Sequence, residues 1–256
     1  MSKIPFAGIH IDNLSQEEAL ERIRALLKRR QFGYIVTPNA QHINILQNDW
    51  EFRKIYDEAG LVLADGMSIV FALRILGYPL KEKCSGADMF NDIMRLGAAQ
   101  NKNLFILGGS NGSEKIAVKK AMRLFPDLRI QSYSPPSGFD CDPAESRSIV
   151  QKILAHRTDM LFICVGSPRS EKWVYRNRDS LSGCLAFPLG DSLNFFAGVK
   201  KRAPKWMRDS GLEWLYRLAQ EPHRLWRRYI VGNIRFAGIF VRELWKNHSG
   251  KPERKS

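Results

Sequence analysis

Six short apolar runs set the frame of this chain: Tyr34-Ile35-Val36, Leu61-Val62-Leu63-Ala64, Leu104-Phe105-Ile106-Leu107, Ile130–Tyr133, Met160–Val165 and Cys184–Leu189. Runs of this length without polar alternation read as strands buried on both faces. Between them lie segments with helical starts and helical apolar spacing. Ser15-Gln16-Glu17-Glu18 forms a capping box ahead of Ala19–Leu27, and Gly66–Leu76, Ala87–Ala99, Ser113–Phe125 and Pro143–His156 follow the same logic. Buried strands alternating with helices predict a doubly wound, mainly parallel α/β sheet covered on both sides. Residues 1–195 are expected to form this domain, and residues 196–256 a basic helical appendage with a polar tail, Asn247–Ser256.

A chain of 256 residues with 44% hydrophobic and 26% charged residues can bury one core of that size. The start, Met1–Gly8, has no apolar run like that of a secretory leader. No stretch of about 18 apolar residues runs without charge, so no spanning segment is expected. Cys84, Cys141, Cys164 and Cys184 are scattered without C-x-x-C spacing. Cys164 sits inside an apolar run and reads as a buried thiol. A reducing, cytoplasmic setting is expected.

In open parallel sheets of this Rossmann-like kind, ligands bind outside the carboxyl ends of the strands. The residues that follow each run are Thr37-Pro38-Asn39-Ala40, Asp65-Gly66, Gly108–Gly112, Ser134–Phe139, Gly166-Ser167-Pro168 and Gly190-Asp191-Ser192. One edge of the sheet therefore gathers the candidate chemistry. Asp65 can cap the helix that follows it or act as a general base, and its position alone favours neither. Thr37 and Asn39 can cap Ala40–Gln47, capping being the stronger local reading for Asn39. Gly108-Gly109-Ser110-Asn111-Gly112 opens a helix and can cradle a diphosphate, although Leu107 breaks the dinucleotide fingerprint and no P-loop lysine follows. Asp140-Cys141-Asp142 matches a D-x-D metal motif by letter, but Asp142-Pro143-Ala144-Glu145 reads better as a helix start. His10, His42, His156, His223 and His248 lack metal-ligand spacing. No metal site is expected.

The charge excess is local. Residues 200–256 hold 15 Lys+Arg against 5 Asp+Glu, a net +10 of the chain's +14. There arginines interleave with tryptophan and tyrosine, as in Arg202-Ala203-Pro204-Lys205-Trp206 and Glu221–Tyr229. The pattern after Pro222 is helical to about Trp245, with Arg224, Arg228, Arg235, Arg242 and Lys246 inside one sector of about 40°. Gly232 and Gly238 weigh against one unbroken helix. A wide, aromatic apolar side opposite a purely basic face suits an anionic membrane surface.

The stretches Thr37–Ala40, Ala64-Asp65-Gly66-Met67, Gly86-Ala87-Asp88, Leu107-Gly108-Gly109, Tyr133–Pro136, Gly166-Ser167-Pro168, Arg202-Ala203-Pro204, Gly211–Trp214 and Glu221–Arg224 occur in an order that resembles the WecG/TagA/CpsF family of bacterial glycosyltransferases (glycosyltransferase family 26) over nearly the whole chain. The resemblance implies inverting transfer of a hexose from a UDP-sugar to a polyprenyl-diphosphate-linked sugar at the cytoplasmic membrane face, in cell-surface polysaccharide synthesis and without a bound metal. The hexose could be N-acetylmannosamine, its uronic acid or glucose. By position it makes Asp65 the base, with Thr37 and Asn39 beside it. It places Gly108, Gly109, Gly166 and Asp191 at the UDP site, and Lys83, Arg217, Arg224 and Arg227 near the phosphates. One departure bears on the bound sugar: where the family commonly shows Gly-x-Pro-x-Gln-Glu, this chain has Ser170 in place of glutamine. The helical C-terminus can close its own site or pack against a second copy.

Two other classes compete. A nucleic-acid binder would use the basic, aromatic C-terminus, with steeply salt-dependent binding, but leaves the ligand-type strand ends without a task. A dehydrogenase would need the glycine fingerprint that Leu107 interrupts.

Overall fold

The computed structural model describes residues 2–249, so the Gly250–Ser256 part of the polar tail lies outside the described residues. In chain order the elements are β1 (Lys3–Phe6), β2 (Ile9–Asp12), α1 (Gln16–Arg29), β3 (Gly33–Val36), α2 (Ala40–Leu46), α3 (Trp50–Asp57), β4 (Leu61–Val62), α4 (Met67–Ile75), α5 (Gly86–Ala99) and β5 (Asn103–Gly108). They continue as α6 (Ser113–Leu124), β6 (Arg129–Tyr133), α7 (Pro143–Ala155), β7 (Met160–Cys164), α8 (Arg169–Arg176), β8 (Leu185–Pro188), α9 (Ser192–Ala197), α10 (Lys205–Asp209), α11 (Glu213–Gln220), α12 (Pro222–Trp226) and α13 (Gly232–His248).

All six apolar runs are strands of one parallel sheet, ordered β4-β3-β8-β7-β5-β6. Period-two alternation sorts their side chains between two cores. Tyr34, Val36, Phe105, Leu107, Leu161, Ile163 and Ala186 face one core, which is completed by residues of α2, α3, α4, α7, α8 and α13. Ile35, Leu104, Ile106, Met160, Phe162, Leu185 and Phe187 face the other, beneath α1, α5, α6 and α9. The local starts hold as well. Ser15 and Glu18 close the capping box of α1, and Asp142 accepts from Ala144 and Glu145 at the head of α7, with Pro143 in the first turn.

An antiparallel hairpin, β1–β2, precedes the sheet and turns through Ala7-Gly8, both at positive φ, as tight hairpins require. It buries Ile4, Phe6, Ile9 and Ile11, and Asp12 accepts the Val62 N–H at 2.9 Å. At the other end of the chain, α13 lies along α2 and buries Phe236 and Ile239, with the Phe6 and Phe236 rings 6.2 Å apart.

The helical run after Pro222 passes through one π turn, Arg227–Val231, before α13 begins at Gly232. A π turn inserts an extra residue and slips the helical phase. The expected single basic sector therefore divides. Arg224 and Arg228 line the cavity described next, whereas Arg235 and Arg242 are exposed and Lys246 pairs with Glu243.

Candidate active site

The carboxyl ends of the parallel strands open into a cavity of about 580 Å³. Because β8 lies between β3 and β7, Asp191 is flanked by Thr37 and Asn39 on one side and Gly166 and Ser167 on the other. Asp65, Lys83, Gly108 and Gly109 complete the sheet side of the wall, and Arg217 and Arg224 reach it from α11 and α12. Of the residues singled out from sequence only Arg227 stands outside. It is exposed, with its guanidinium 5.3 Å from the ring centre of Trp226, and the next residue, Arg228, lines the cavity.

Asp65 does not cap a helix. Gly66, at φ +98°, occupies the cap position of α4, and no side-chain bond is made there. The Asp65 carboxyl is left facing the cavity with a pKa raised to about 7. Burial is the main cause, Glu213 and Asp88 add to it, and Lys83 and Arg202 oppose it. A carboxyl poised there accepts a proton at neutral pH. Asn39 does cap, its Oδ1 accepting from the N–H groups of Gln41 and His42, and it remains part of the wall.

The glycine loop has a steric reason for its sequence. Gly108 and Gly109 sit at φ +106° and +116°. A Cβ on Gly108 would come within 2.7 Å of the Cys164 carbonyl carbon, and one on Gly109 within 2.9 Å of Ser113 Oγ. The helix that follows, α6, has Gly112 at its N-cap and no side-chain cap; the Ser113 N–H donates to the Ser110 carbonyl and the Lys115 N–H to that of Gly112.

Two carboxylates tie the C-terminal segment to this edge. Asp88 Oδ1 accepts from Arg202 at 2.7 Å and Arg208 at 2.9 Å, while Lys83 lies 3.5 Å from Oδ2. Burial acts to raise the Asp88 pKa, but the bonds from Arg202 and Ser85 and the charges of Arg202 and Lys83 pull it down to about 2. Asp191 receives Arg217 at 2.6 Å and Lys200 at 3.1 Å. Burial opposes these too, yet the bond from Asn194 and the charges of Arg217 and Lys200 hold its carboxyl below the usual range. The Asp88 cluster was not singled out from sequence. Its signal was present in Gly86-Ala87-Asp88 and Arg202-Ala203-Pro204, two stretches that carry the resemblance.

Arg228 is different. Among the described residues no carboxylate pairs with it, and its Nε is buried without a hydrogen bond, as are those of Arg202 and Arg208. Burial lowers its pKa, with the charges of Arg217 and Arg224 adding to it and Tyr229 and Asp191 opposing it. Such a group gains most from an entering anion. The cavity thus presents a proton acceptor, a glycine-lined helix start and guanidiniums with unused donors. That set suits displacement of a phosphorylated leaving group by a hydroxyl. No three His, Cys, Asp or Glu side chains converge to hold a metal among the described residues.

Known proteins match on the same scale as the fold. The chain is 24% identical over 247 residues to an N-acetylglucosaminyldiphosphoundecaprenol N-acetyl-beta-D-mannosaminyltransferase of Staphylococcus aureus strain MW2, covering 96% of this chain and 93% of that protein. The protein of the same description from strain NCTC 8325 / PS 47 matches at the same identity and coverage. The family model described as "Glycosyl transferase WecG/TagA/CpsF family" matches residues 4–250. The parallel sheet, the ligand edge and this match together place the chain in the WecG/TagA/CpsF family of glycosyl transferases.

Proposed function

We propose that this enzyme moves a hexose from a UDP-sugar to a sugar carried on polyprenyl diphosphate, with inversion at the anomeric carbon. The observation that carries the proposal is that the unbonded Asp65 carboxyl and the guanidiniums of Arg202, Arg208 and Arg228 face one cavity. In the step, the acceptor oxygen bonds to the anomeric carbon as the bond from that carbon to UDP breaks. Asp65 takes the acceptor proton, and UDP leaves with the bonding electron pair. Thr37 and Asn39 orient the reacting groups beside Asp65. Gly108, Gly109, Gly166 and Asp191 form the nucleotide end, and Lys83 and the arginines compensate the phosphates. These side chains supply the positive charge, so the reaction is proposed to need no metal. The names of the Staphylococcus aureus relatives support a lipid-diphosphate acceptor and an N-acetylmannosamine donor residue.

Residues 196–256 are proposed to bring the cavity to the cytoplasmic membrane surface. No described helix is long and apolar enough to cross a membrane. On α13, Ile234, Val241 and Trp245 are exposed beside Arg235 and Arg242, a composition that suits peripheral binding to anionic lipid.

Calorimetric titration with UDP in the presence of chelator, with NADH as control, tests the nucleotide site. Binding of UDP but not NADH, followed by sugar transfer to a polyprenyl-diphosphate acceptor, is the expected result. Folded protein that binds no UDP, with or without anionic vesicles, would refute the proposal.

A further inference from the structure

The C-terminal segment is strongly basic, yet it delivers one acid to the cavity. Of its described acidic residues, Asp209, Glu213, Glu221 and Glu243, only Glu213 lines the wall that Asp65 also lines. Glu243 is paired with Lys246, and Glu221 with Lys200 and Arg224. Glu213 opens α11, and an acid in the first turn of a helix ordinarily answers the helix dipole. Its surroundings give it a second task.

Gly211 fixes where Glu213 goes. It sits at φ +80°, and a Cβ there would come within 3.1 Å of the Phe71 ring and 3.2 Å of Met67 Cβ. The chain ahead of α11 therefore lies directly on the first turns of α4. Glu213 stands just beyond Gly211 and Asp65 just before Met67, so one close contact brings the two acids to the same corner of the cavity.

The other charges around Asp65 are largely committed. Asp88, on α5, accepts from Arg202 and Arg208, with Lys83 at 3.5 Å. Arg202 Nη2 reaches Ser85 Oγ at 3.3 Å, while its Nε stands 3.8 Å from Glu213 Oε1, beyond hydrogen-bond range. Arg217, the cation of α11 itself, is bonded to Asp191. Glu213 thus keeps more of its charge uncompensated than Asp88 does. The effect on Asp65 follows that order. After burial, Glu213 contributes most to raising its pKa, Asp88 less, and Lys83 and Arg202 oppose them. The Tyr56 hydroxyl and the Cys84 thiol complete the titratable surroundings, and both are pushed up, so neither is charged at neutral pH.

We infer that Glu213 is a positioning residue for the base: set beside Asp65 by the Gly211 contact, it turns an uncompensated negative charge on that carboxyl and makes it a stronger proton acceptor. Like charges at such a site favour the protonated form of one partner. The sheet edge thus supplies the base and the C-terminal segment supplies part of its strength. This inference rests on the role proposed for Asp65.

The test follows single-turnover transfer from UDP-N-acetylmannosamine to polyprenyl-diphosphate-linked N-acetylglucosamine as a function of pH in the wild type, Glu213→Gln and Glu213→Asp. In Glu213→Gln the midpoint of the rise in rate should move down by about half a pH unit or more. The plateau on the alkaline side should drop only a few-fold, because a weaker base is still in place. Glu213→Asp keeps a charge, and its midpoint should stay nearer that of the wild type. UDP affinity should be retained in both variants. Thermal melts give a readout without turnover: the stability gained from Asp65→Asn on the alkaline side should be smaller when Glu213→Gln is already present. An unmoved midpoint in Glu213→Gln, or an equal gain from Asp65→Asn in both backgrounds, would overturn the inference. Lowered rate and UDP affinity at an unmoved midpoint would overturn it too, by making Glu213 a structural support of the arm. Full turnover in Asp65→Asn alone would instead remove Asp65 as the base, a failure of the proposed function that these readouts tell apart.

Discussion

Arg217 Nη2 donates to Asp191 Oδ2 at 2.6 Å, joining α11 to the turn that follows β8. Lys200 reaches the same carboxylate and also pairs with Glu221, so one charge at the sheet edge organises three segments of the C-terminal arm. Asp191→Ala leaves the half-buried Arg217 without its carboxylate partner and Lys200 with Glu221 alone. Destabilisation of roughly 1–3 kcal/mol is expected from urea unfolding, with faster proteolysis after residue 200. The Asp191 carboxyl is held below its ordinary pKa, so it contributes stability above about pH 4 and loses it as the pH falls further. The variant should therefore lose least, relative to wild type, in acid.

Asp65→Asn should lower turnover by about 10²–10⁴-fold while leaving UDP affinity unchanged. Wild-type kcat should rise with pH through about 7 as the carboxyl ionises, and the variant should lack that limb. Stability follows the opposite sign. A carboxyl whose folded pKa is raised binds its proton more tightly in the native state, so stability is lost as the pH climbs from about 4 to about 7. Asp65→Asn removes this loss. The variant should be the more stable protein at pH 8, by up to about 4 kcal/mol, with the difference gone below about pH 4. Thermal melts at the two pH values check it.

Arg228→Ala separates binding from folding. Its guanidinium is desolvated and repelled by Arg217 and Arg224, which together outweigh the pull of Tyr229 and Asp191, so the variant should melt at the wild-type temperature or above it. UDP affinity measured by calorimetry should fall about tenfold or more, the cost of one charge-assisted hydrogen bond.

Gly108→Ala and Gly112→Ala make a matched pair, since both glycines lie at positive φ. At Gly112 nothing lies within 4 Å of an added Cβ, and the cost should be about 1 kcal/mol of backbone strain. At Gly108 the Cβ meets the main chain of Cys164, and a loss of at least roughly 3 kcal/mol is expected, from strain and overpacking together. Denaturant midpoints give both values.

Replacing Ile234 and Trp245 together with serine should leave the melting temperature unchanged, because both side chains are exposed. Flotation with anionic vesicles should show most of the binding lost. Retained binding would locate the membrane contact elsewhere.

The sheet was legible because its strands are buried on both faces and so write themselves as uninterrupted apolar runs. The ligand edge followed from their order. Asp65 was visible as a candidate but ambiguous, since a carboxylate between strand and helix serves a cap or a cavity equally well in sequence. Only the φ of Gly66 decides between them. The β1–β2 hairpin went unread because four-residue strands interrupted by Pro5 and His10 show too little alternation. Glu213 and Asp65 lie far apart in the chain and share a corner of the cavity only because Gly211 packs on Met67 and Phe71. Helical spacing already set Arg228, not Arg227, on the face of Arg224; the departure of Arg235 and Arg242 from that face follows a π turn that no apolar spacing announced.

The bond from the Val62 N–H to Asp12 has a consequence for how the molecule meets its own copies. β4 is the end strand of the sheet and only two residues long, and an open strand edge is a template for addition of another chain. Asp12 occupies that donor from a hairpin synthesised well before the strand it covers. A chain emerging from the ribosome thus carries the guard for its sheet margin before the margin exists, and this should keep crowded, half-folded copies from joining edge to edge.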